Sequence, residues 1–421
     1  MKLARHPPDA SSALARISGD ADKGVLASST AIERVLGNVF LTLSLPVEFS
    51  AHSLKVVNVF FSYVADRLYQ TPLEISLDEA KSTWMPMMFA DEGTVSCSIA
   101  LMQACNELFL GGGESSPKAL YYLSQTFAQV RKRLHSPDAL SDSTISTVLS
   151  LIIQELIRKD QPGAKIHFAG LIRMVELRGG LEQLENNLPL LIKICKVDVT
   201  YALQYGGPTA FFRDRMPELR KSLASKGLSL DCTSAVSSIP YDGLEPYLQD
   251  ILLDVMSISS LFNSDLSYRT LDFLTFQEMN YSICFRLLRF RPLGHAGQGS
   301  GIQAAYHTGL TIFVITLFLQ HTHHRRIQDY ELVSMRLREV FDSGLDDLDD
   351  GLVLWLMILG SIWTTGDVDG DWLLPKISSE AQRLGLKTWD DARDIICKFP
   401  WINALHERPG RAVWRQVNHE I

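Results

Sequence analysis

Apolar positions recur at intervals of three and four residues in almost every segment after Ser28. This spacing places apolar side chains on one face of a helix. Between residues 53 and 69, for example, Val56, Phe60 and Val64 follow it. No segment of useful length shows the two-residue alternation of a half-buried strand. The pattern predicts an all-α fold, a large bundle or array of about 15 helices in two packed lobes.

Changes in composition divide this helical pattern. Residues 1–27 contain Pro7-Pro8 and no sustained period, which predicts a disordered lead-in. Residues 226–243 are rich in Ser, Gly and Asp, and they predict a flexible connection. We therefore expect an N-terminal helical lobe over residues 28–225 and a C-terminal helical lobe over residues 244–421.

One amphipathic segment is more specific than the others. Phe168, Leu171, Ile172 and Val175 share one face of a helix, and a neighbouring stripe carries His167, Met174 and Arg178. Gly179-Gly180 can supply the left-handed residue that ends such a helix. Periodicity alone indicates no more than an amphipathic helix with a glycine stop.

The sequence motif of this segment, from His167 to Leu181, is His-x-x-Gly-Leu-x-x-Met-Val-x-Leu-Arg-Gly-Gly-Leu. It resembles the signature of the fungal-specific transcription factor domain. The resemblance continues through several landmarks, over about residues 30–418: Lys196-x-Asp198 followed by Pro208 and Phe211, Leu354-Trp355, Trp389 to Arg393, and Phe399-Pro400-Trp401. Thr388 stands where the family more often has Ser before the tryptophan.

The resemblance implies a regulatory region of the kind found beside a zinc binuclear cluster in fungal regulators. Such regions mediate dimer contacts, transmit inhibition and in some members respond to small molecules. A homodimer or a DNA-binding regulator is the expected partner, and a small molecule is the expected effector. The implied location is the nucleus, with the cytoplasm as the alternative.

The cysteines do not match a zinc binuclear cluster. That module requires Cys-x2-Cys-x6-Cys and a similar second half, whereas the six cysteines here are widely spread and the closest pair, Cys97 and Cys105, is eight residues apart. We therefore expect this chain to lack its own DNA-binding cluster. The net charge of −8 also opposes direct contact with nucleic acid.

Other motifs indicate neither a cofactor nor a resident metal. The acidic run that begins at Asp367 has Trp372 where a calcium loop needs Gly and Ser378 where it needs Glu. His307 and the group His321 to His324 have no carboxylate or cysteine at zinc-enzyme spacing. The longest apolar runs fall short of the roughly 20 residues that a membrane span requires.

The expected site is an apolar pocket between the signature helix and the C-terminal tryptophans, where a metabolite or partner helix binds. Its candidate residues are His167, Met174, Arg178, Trp355, Trp363 and Trp401. Two other classes remain open. The chain is alternatively a repurposed enzyme of secondary metabolism that encloses a small substrate, with His167 and Arg178 as its catalytic groups, or a helical scaffold. A regulatory protein without catalysis is the favoured interpretation.

Overall fold

The computed structural model describes residues 48–65, 73, 77–110, 117–228, 230, 243–264, 271–295, 301–318, 330–344, 347–364 and 370–419. Within these ranges lie sixteen α-helices and no strand, which confirms the predicted all-α class. The predicted lead-in, residues 1–27, lies outside the described residues, as does most of the predicted connection at 226–243.

The helices of the first half are α1 (Ala51–Val59), α2 (Leu77–Met88), α3 (Glu92–Leu110), α4 (Pro117–Leu134), α5 (Asp142–Arg158), α6 (Gln161–Leu177), α7 (Leu188–Tyr205) and α8 (Met216–Ser225). Those of the second half are α9 (Pro246–Asn263), α10 (Phe273–Phe290), α11 (Gly301–Phe318), α12 (Glu331–Asp342), α13 (Asp350–Thr364), α14 (Leu374–Arg383), α15 (Trp389–Ile396) and α16 (Asn403–His419). None of the described helices combines the length and apolar character needed to cross a membrane.

Backbone proximity groups the chain into two compact units, residues 1–67 with 80–171, and residues 68–79 with 172–421. The division falls inside α6, between Leu171 and Ile172, and not in the segment 226–243. The lobe bounds derived from composition therefore stay a prediction.

Helix α3 is central to the first unit, where it packs against α1, α4 and α5. Asp91, just before α3, joins these helices because its carboxylate accepts hydrogen bonds from Arg133 of α4 and Ser143 of α5. The Arg133 Nη2 to Asp91 Oδ1 distance is 2.5 Å. Helix α5 buries most of its length, including Ile145, Leu149 and Ile152.

The second unit is built around α13, whose residues from Gly351 to Thr364 are all buried. Helices α11, α14, α15 and α16 pack against it. A second layer joins α7 to α10 and α10 to α9 and α11. An apolar helix enclosed on every side can only form a core, because no face of it remains for water.

Two glycines allow a close backbone approach within the second unit. The Gly294 amide donates to the Gly206 carbonyl at 2.7 Å, and Gly206 ends α7 with φ of 78°. A Cβ at Gly294 would lie 2.7 Å from the Gly206 oxygen, and one at Gly206 would lie 2.8 Å from the Gly294 Cα. Neither position has room for a side chain.

Candidate functional site

The signature helix α6 begins at a tight corner with α5. Lys159 ends α5 in the left-handed conformation, at φ 59°. Asp160 then starts α6, since its carboxylate accepts the Gly163 amide at 3.2 Å and its carbonyl accepts the Ala164 amide at 3.0 Å. Pro162 fits in this first turn because a helix leaves the first amides without partners. The helix thus begins at Gln161, one residue before the proline.

Four polar side chains meet at this corner, and we call Glu155, Arg158, Asp160 and His167 the corner cluster. His167 Nδ1 lies 3.8 Å from Glu155 Oε1, and the Phe127 ring of α4 stacks on the imidazole with centroids 5.7 Å apart. A Cβ at Gly163 would lie 2.8 Å from Asp160 Oδ2 and 2.9 Å from Glu155 Oε2. Glycine at this position therefore lets both carboxyl groups approach the backbone.

Burial shifts the titration of the two central groups in opposite directions. Burial raises the pKa of Glu155 to about 7, and the adjacent Asp160 adds to the rise while Arg158 opposes it. Burial lowers the pKa of His167, and the charge of Asp160 acts against that change. Near neutral pH the imidazole of His167 is therefore uncharged, and the Glu155 carboxyl is protonated in part of the molecules and ionised in the rest.

Several nitrogen atoms of the corner cluster are buried without a hydrogen-bond partner among the described residues. They are His167 Nδ1 and the Nε and Nη2 atoms of Arg158. Buried polar groups normally have partners, so each exception needs a physical explanation. Here the Arg158 guanidinium and the His167 imidazole lie near the carboxyl groups of Glu155 and Asp160, yet these three nitrogen atoms keep unused hydrogen-bonding capacity.

The remaining part of the signature helix follows the predicted pattern. Leu171 and Val175 are fully buried, and Met174 is buried beside them. Arg173 pairs with Glu176 at 3.2 Å on the exposed side. Gly179 and Gly180 have φ of 94° and 96°, and the Gly180 amide donates to the Val175 carbonyl at 3.0 Å. The glycine stop is thereby confirmed.

The predicted site residues are divided between the two units. His167 belongs to the first unit, whereas Met174, half-buried Arg178 and the three tryptophans belong to the second. Trp355 donates from Nε1 to the Pro400 carbonyl at 2.9 Å and stacks on Phe399, which brings it to the segment that contains Trp401.

The three tryptophans are all packed in the core of the second unit. Trp363 donates from Nε1 to Ser334 Oγ at 3.2 Å and stacks on Tyr330. Trp401 lies against the His406 ring, and its own Nε1 is buried without a partner among the described residues. A pocket between α6 and these rings stays a prediction.

The landmark Asp198 holds a loop in place. Its two carboxylate oxygens accept the amides of Ala210 and Phe211, each at 2.8 Å. Burial raises the pKa of Asp198 to about 7, although the two amide hydrogen bonds act in the opposite direction. The buried carboxylate of Asp198 on α7 thus fixes the Pro208 to Phe211 segment against this helix.

The landmarks at Trp389 and Arg393 also share one partner. Trp389 Nε1 donates to Glu407 Oε1 at 2.8 Å, and Arg393 Nε donates to Glu407 Oε2 at 3.0 Å. Thr388 and Asp391 form a capping box at the start of α15. A hydroxyl that accepts the Asp391 amide is available from Thr as well as from Ser. The replacement at position 388 therefore keeps the helix start.

No group of three His, Cys, Asp or Glu side chains within the described ranges has the arrangement of a metal site. His307 is buried, and its Nε2 lies 3.0 Å from the Leu287 carbonyl oxygen. The cluster His321 to His324 lies outside the described residues, as does Cys232. The other five cysteines are unbridged, and burial raises the thiol pKa of Cys195 and Cys284.

Sequence reasoning identified His167 but missed Arg158 and Asp160 as its neighbours. Glu155 is likewise absent from the residues that the sequence predicts for the site. The signal that could have found the cluster is the short sequence Lys159-Asp160 between two helical patterns. A one-residue left-handed turn returns the chain and brings position 155 next to position 167.

Comparisons with known proteins give one match. The sequence model described as "Fungal specific transcription factor domain" matches residues 55–293, which is more than half of the chain. The searches of curated proteins and of solved structures each found no match. The match includes α5, the signature helix α6 and the loop held by Asp198. The chain therefore belongs to the fungal-specific transcription factor domain family.

Proposed function

We propose that this chain is a regulatory protein of the transcription-regulator type that binds a small-molecule effector at the corner cluster. Family membership supports the regulatory role. We infer the effector site from the nitrogen atoms of Arg158 and His167 near Glu155, which are buried and have no hydrogen-bond partner among the described residues.

The chemistry of the cluster favours an effector with hydrogen-bond acceptors and an aromatic or apolar portion. The guanidinium of Arg158 offers two donors in a plane, the geometry that suits a carboxylate or phosphate. Neutral His167 donates or accepts one further hydrogen bond. The Phe127 ring, which is 40% exposed and stacked on His167, supplies an apolar wall.

Binding at this corner acts on the packing between α5 and α6. An effector that pairs with Arg158 and His167 stabilises the arrangement in which these two side chains lie together, and so it shifts the population toward that arrangement. We place this function in the nucleus, with a DNA-binding regulator or a second copy of the chain as the partner. Sedimentation of the purified protein distinguishes the homodimer from the monomer.

The experiment incubates the purified full chain with an extract of fungal metabolites and identifies retained small molecules by native mass spectrometry. We expect one compound to be retained unchanged by the wild-type protein. Arg158→Gln and His167→Phe should each weaken its retention by about tenfold or more, because each removes donors to the ligand.

Arg173→Gln is the matched control, since Arg173 lies on the same helix α6 as His167 but in an exposed ion pair with Glu176. It should leave retention unchanged. Circular dichroism confirms that each variant is folded. Conversion of the compound into a product would contradict the purely regulatory proposal, and the absence of any retained compound would contradict the effector site.

A further inference from the structure

Helix α4 presents a row of apolar side chains to solvent. Leu120, Phe127 and Leu134 are separated by intervals of seven residues and are 52%, 40% and 47% exposed. Leu123 and Val130, which lie between them in sequence, are each 8% exposed. Together the five positions alternate spacings of three and four, the a and d positions of a heptad. The d side chains are buried, and the a side chains are largely uncovered.

Exposed large apolar side chains are concentrated on this helix. Beside the row formed by Leu120, Phe127 and Leu134, which we call the open row, Tyr121 is 59% exposed. Ile166, adjacent to the His167 that contacts Phe127, is 70% exposed on α6. Single exposed apolar residues need no explanation, but a group with regular spacing marks an interaction surface.

The charge of α4 is opposite to that of the chain. Residues 117–134 contain four basic side chains, at positions 118, 131, 132 and 133, and no Asp or Glu, in a protein with a net charge of −8. Arg133 pairs with Asp91 inside the unit. Arg131 and Lys132 are exposed at the end of the open row.

The spacing of the row indicates what kind of partner fits. From Leu120 to Leu134 the row extends about 21 Å along the helix axis, four turns of a partner helix. Side chains repeated every seven residues interdigitate with a second helix. Phosphate backbones offer no apolar surface to such a row. Exposed Arg131 and Ser124 interrupt the apolar face that a lipid surface would require.

We propose that α4 is a docking surface for an acidic amphipathic helix of a partner protein. The apolar side chains of that helix pack between Leu120, Phe127 and Leu134, and its carboxylates pair with Arg131 and Lys132. A second copy of α4 is disfavoured as the occupant, since two basic helices repel each other. This surface goes beyond the effector site, and its test uses Leu134 and the basic pair, which lie outside the corner cluster.

The test measures binding of a fluorescent synthetic peptide by anisotropy with the full chain. The peptide is an acidic amphipathic helix of about three heptads with leucine at a and d and glutamate elsewhere on its flanks. We expect saturable binding that weakens as salt is raised. A peptide of the same composition in scrambled order, without the heptad, should bind about tenfold more weakly or worse.

Variants of the full chain locate the binding. Leu134→Glu should lower the affinity for the peptide by about tenfold or more, and so should the double variant that combines Arg131→Glu with Lys132→Glu. The matched controls are Met335→Glu, a 53% exposed apolar residue on α12, and Lys221→Glu, an exposed lysine on α8. Both controls should stay within about twofold of the wild-type affinity.

Three results would overturn the proposal: no saturable binding, equal binding of the scrambled peptide, or equal effects of the control and test variants. Vesicles of phosphatidylserine and a short DNA duplex are measured in parallel. Binding of either probe that depends on Leu134 and the basic pair, with no peptide binding, would also overturn it. Retention of the metabolite by Leu134→Glu separates a failure here from a failure of the effector site.

Discussion

At the scale of single residues, the two most perturbed buried carboxyls have different surroundings. Asp198 accepts two backbone amides, so its hydrogen-bonding capacity is used. Glu155 instead lies among Asp160, Arg158 and His167, and burial raises its pKa to about 7. A carboxyl that titrates near neutral pH beside groups with unused donors is suited to respond to binding.

The titration of Glu155 predicts a pH dependence of stability. Its pKa is raised from 4.5 in the unfolded chain to about 7 in the folded protein, so the folded state binds more protons between these values. The free energy of unfolding should therefore fall as pH rises from about 4.5 to about 7. Relative to that of the Glu155→Gln variant, the free energy of unfolding of the wild type should fall by roughly 1 to 3 kcal/mol over this range.

Chemical denaturation of both proteins at about pH 4.5 and at about pH 7.5 measures this change. Because the amide side chain of the Glu155→Gln variant does not titrate, the difference between the two proteins isolates Glu155 from the other ionisable groups. A difference that is the same at both pH values would contradict the shifted pKa. A second variant, Asp391→Asn, is the control: its difference in stability from the wild type should not change over this range, because hydrogen bonds from the Thr388 and Lys387 amides hold the pKa of Asp391 below its ordinary value.

The sequence predicted the helices better than it predicted the site, for reasons visible in particular residues. The period through Phe168, Leu171 and Val175 depends only on neighbours within one helix, and all three are buried as expected. The contact between Glu155 and His167 depends on the single left-handed residue Lys159, a conformation that its residue type does not favour.

The tryptophans show a second reason why the sequence did not predict the site. Apolar periodicity gives the same signal for a side chain that lines a pocket and for one enclosed in a core. Trp355 and Trp363 are 0% and 1% exposed and use their indole N–H groups within the protein. Such partners come from residues 45 and 29 positions away, which no local pattern encodes.

At the scale of helices, two glycines inside helices have opposite surroundings. Gly309 of α11 faces the ring of Trp355, and a Cβ there would overlap a ring carbon. Gly170 of α6 lies on the exposed face, with no atom within 4 Å of its Cβ position among the described residues. Only the first glycine is required by the packing of its own chain.

The same substitution at these two glycines should therefore change stability in opposite directions. Gly309→Ala should destabilise the protein by about 3 kcal/mol, because buried Trp355 has no space to move. Gly170→Ala should stabilise it by roughly 0.5 to 1 kcal/mol through the higher helix propensity of alanine. Denaturant unfolding of both variants measures the two changes. A destabilising Gly170→Ala would contradict the open surroundings of that position.

The contact between Gly206 and Gly294 gives a matched pair at a helix end. Gly294→Ala should cost roughly 2 to 4 kcal/mol, because its Cβ meets the Gly206 oxygen and disrupts a short backbone hydrogen bond. Gly207→Ala is the control, since nothing lies near its Cβ position and its φ is not positive. Thermal unfolding compares them, and equal melting temperatures would show that the loop at Gly294 moves freely.

At the scale of the whole molecule, burial is distributed unevenly among the described helices. Helix α13 is buried from Gly351 to Thr364, whereas α8 buries only Met216, Leu219 and Leu223. Local opening of α8 uncovers few apolar contacts, but opening of α13 requires separation of α11, α14, α15 and α16. The second unit therefore has a rigid centre and a loosely held margin.

Hydrogen exchange followed by mass spectrometry tests this distribution. Amides of α13 should exchange only through global unfolding of the second unit, and those of α8 should exchange faster by local opening. In a destabilised variant such as Gly309→Ala, the free energy of exchange measured for the α13 amides should fall by as much as the free energy of unfolding. Equal protection of α8 and α13 in the wild type would contradict the prediction.

The burial of α13 from Gly351 to Thr364 also determines when the second unit can fold during translation. Most of its cover, α14 to α16, lies within the 55 residues that follow Thr364 up to His419, and the Pro400 carbonyl that binds Trp355 is among them. At about 5 to 20 residues per second, translation supplies these residues some 3 to 11 s after α13 is made. During that interval α11, which precedes α13 in the chain, is already present, but the faces of α13 that pack against α14, α15 and α16 are uncovered. Each new molecule therefore exposes apolar surface that favours aggregation for several seconds before its second unit can close.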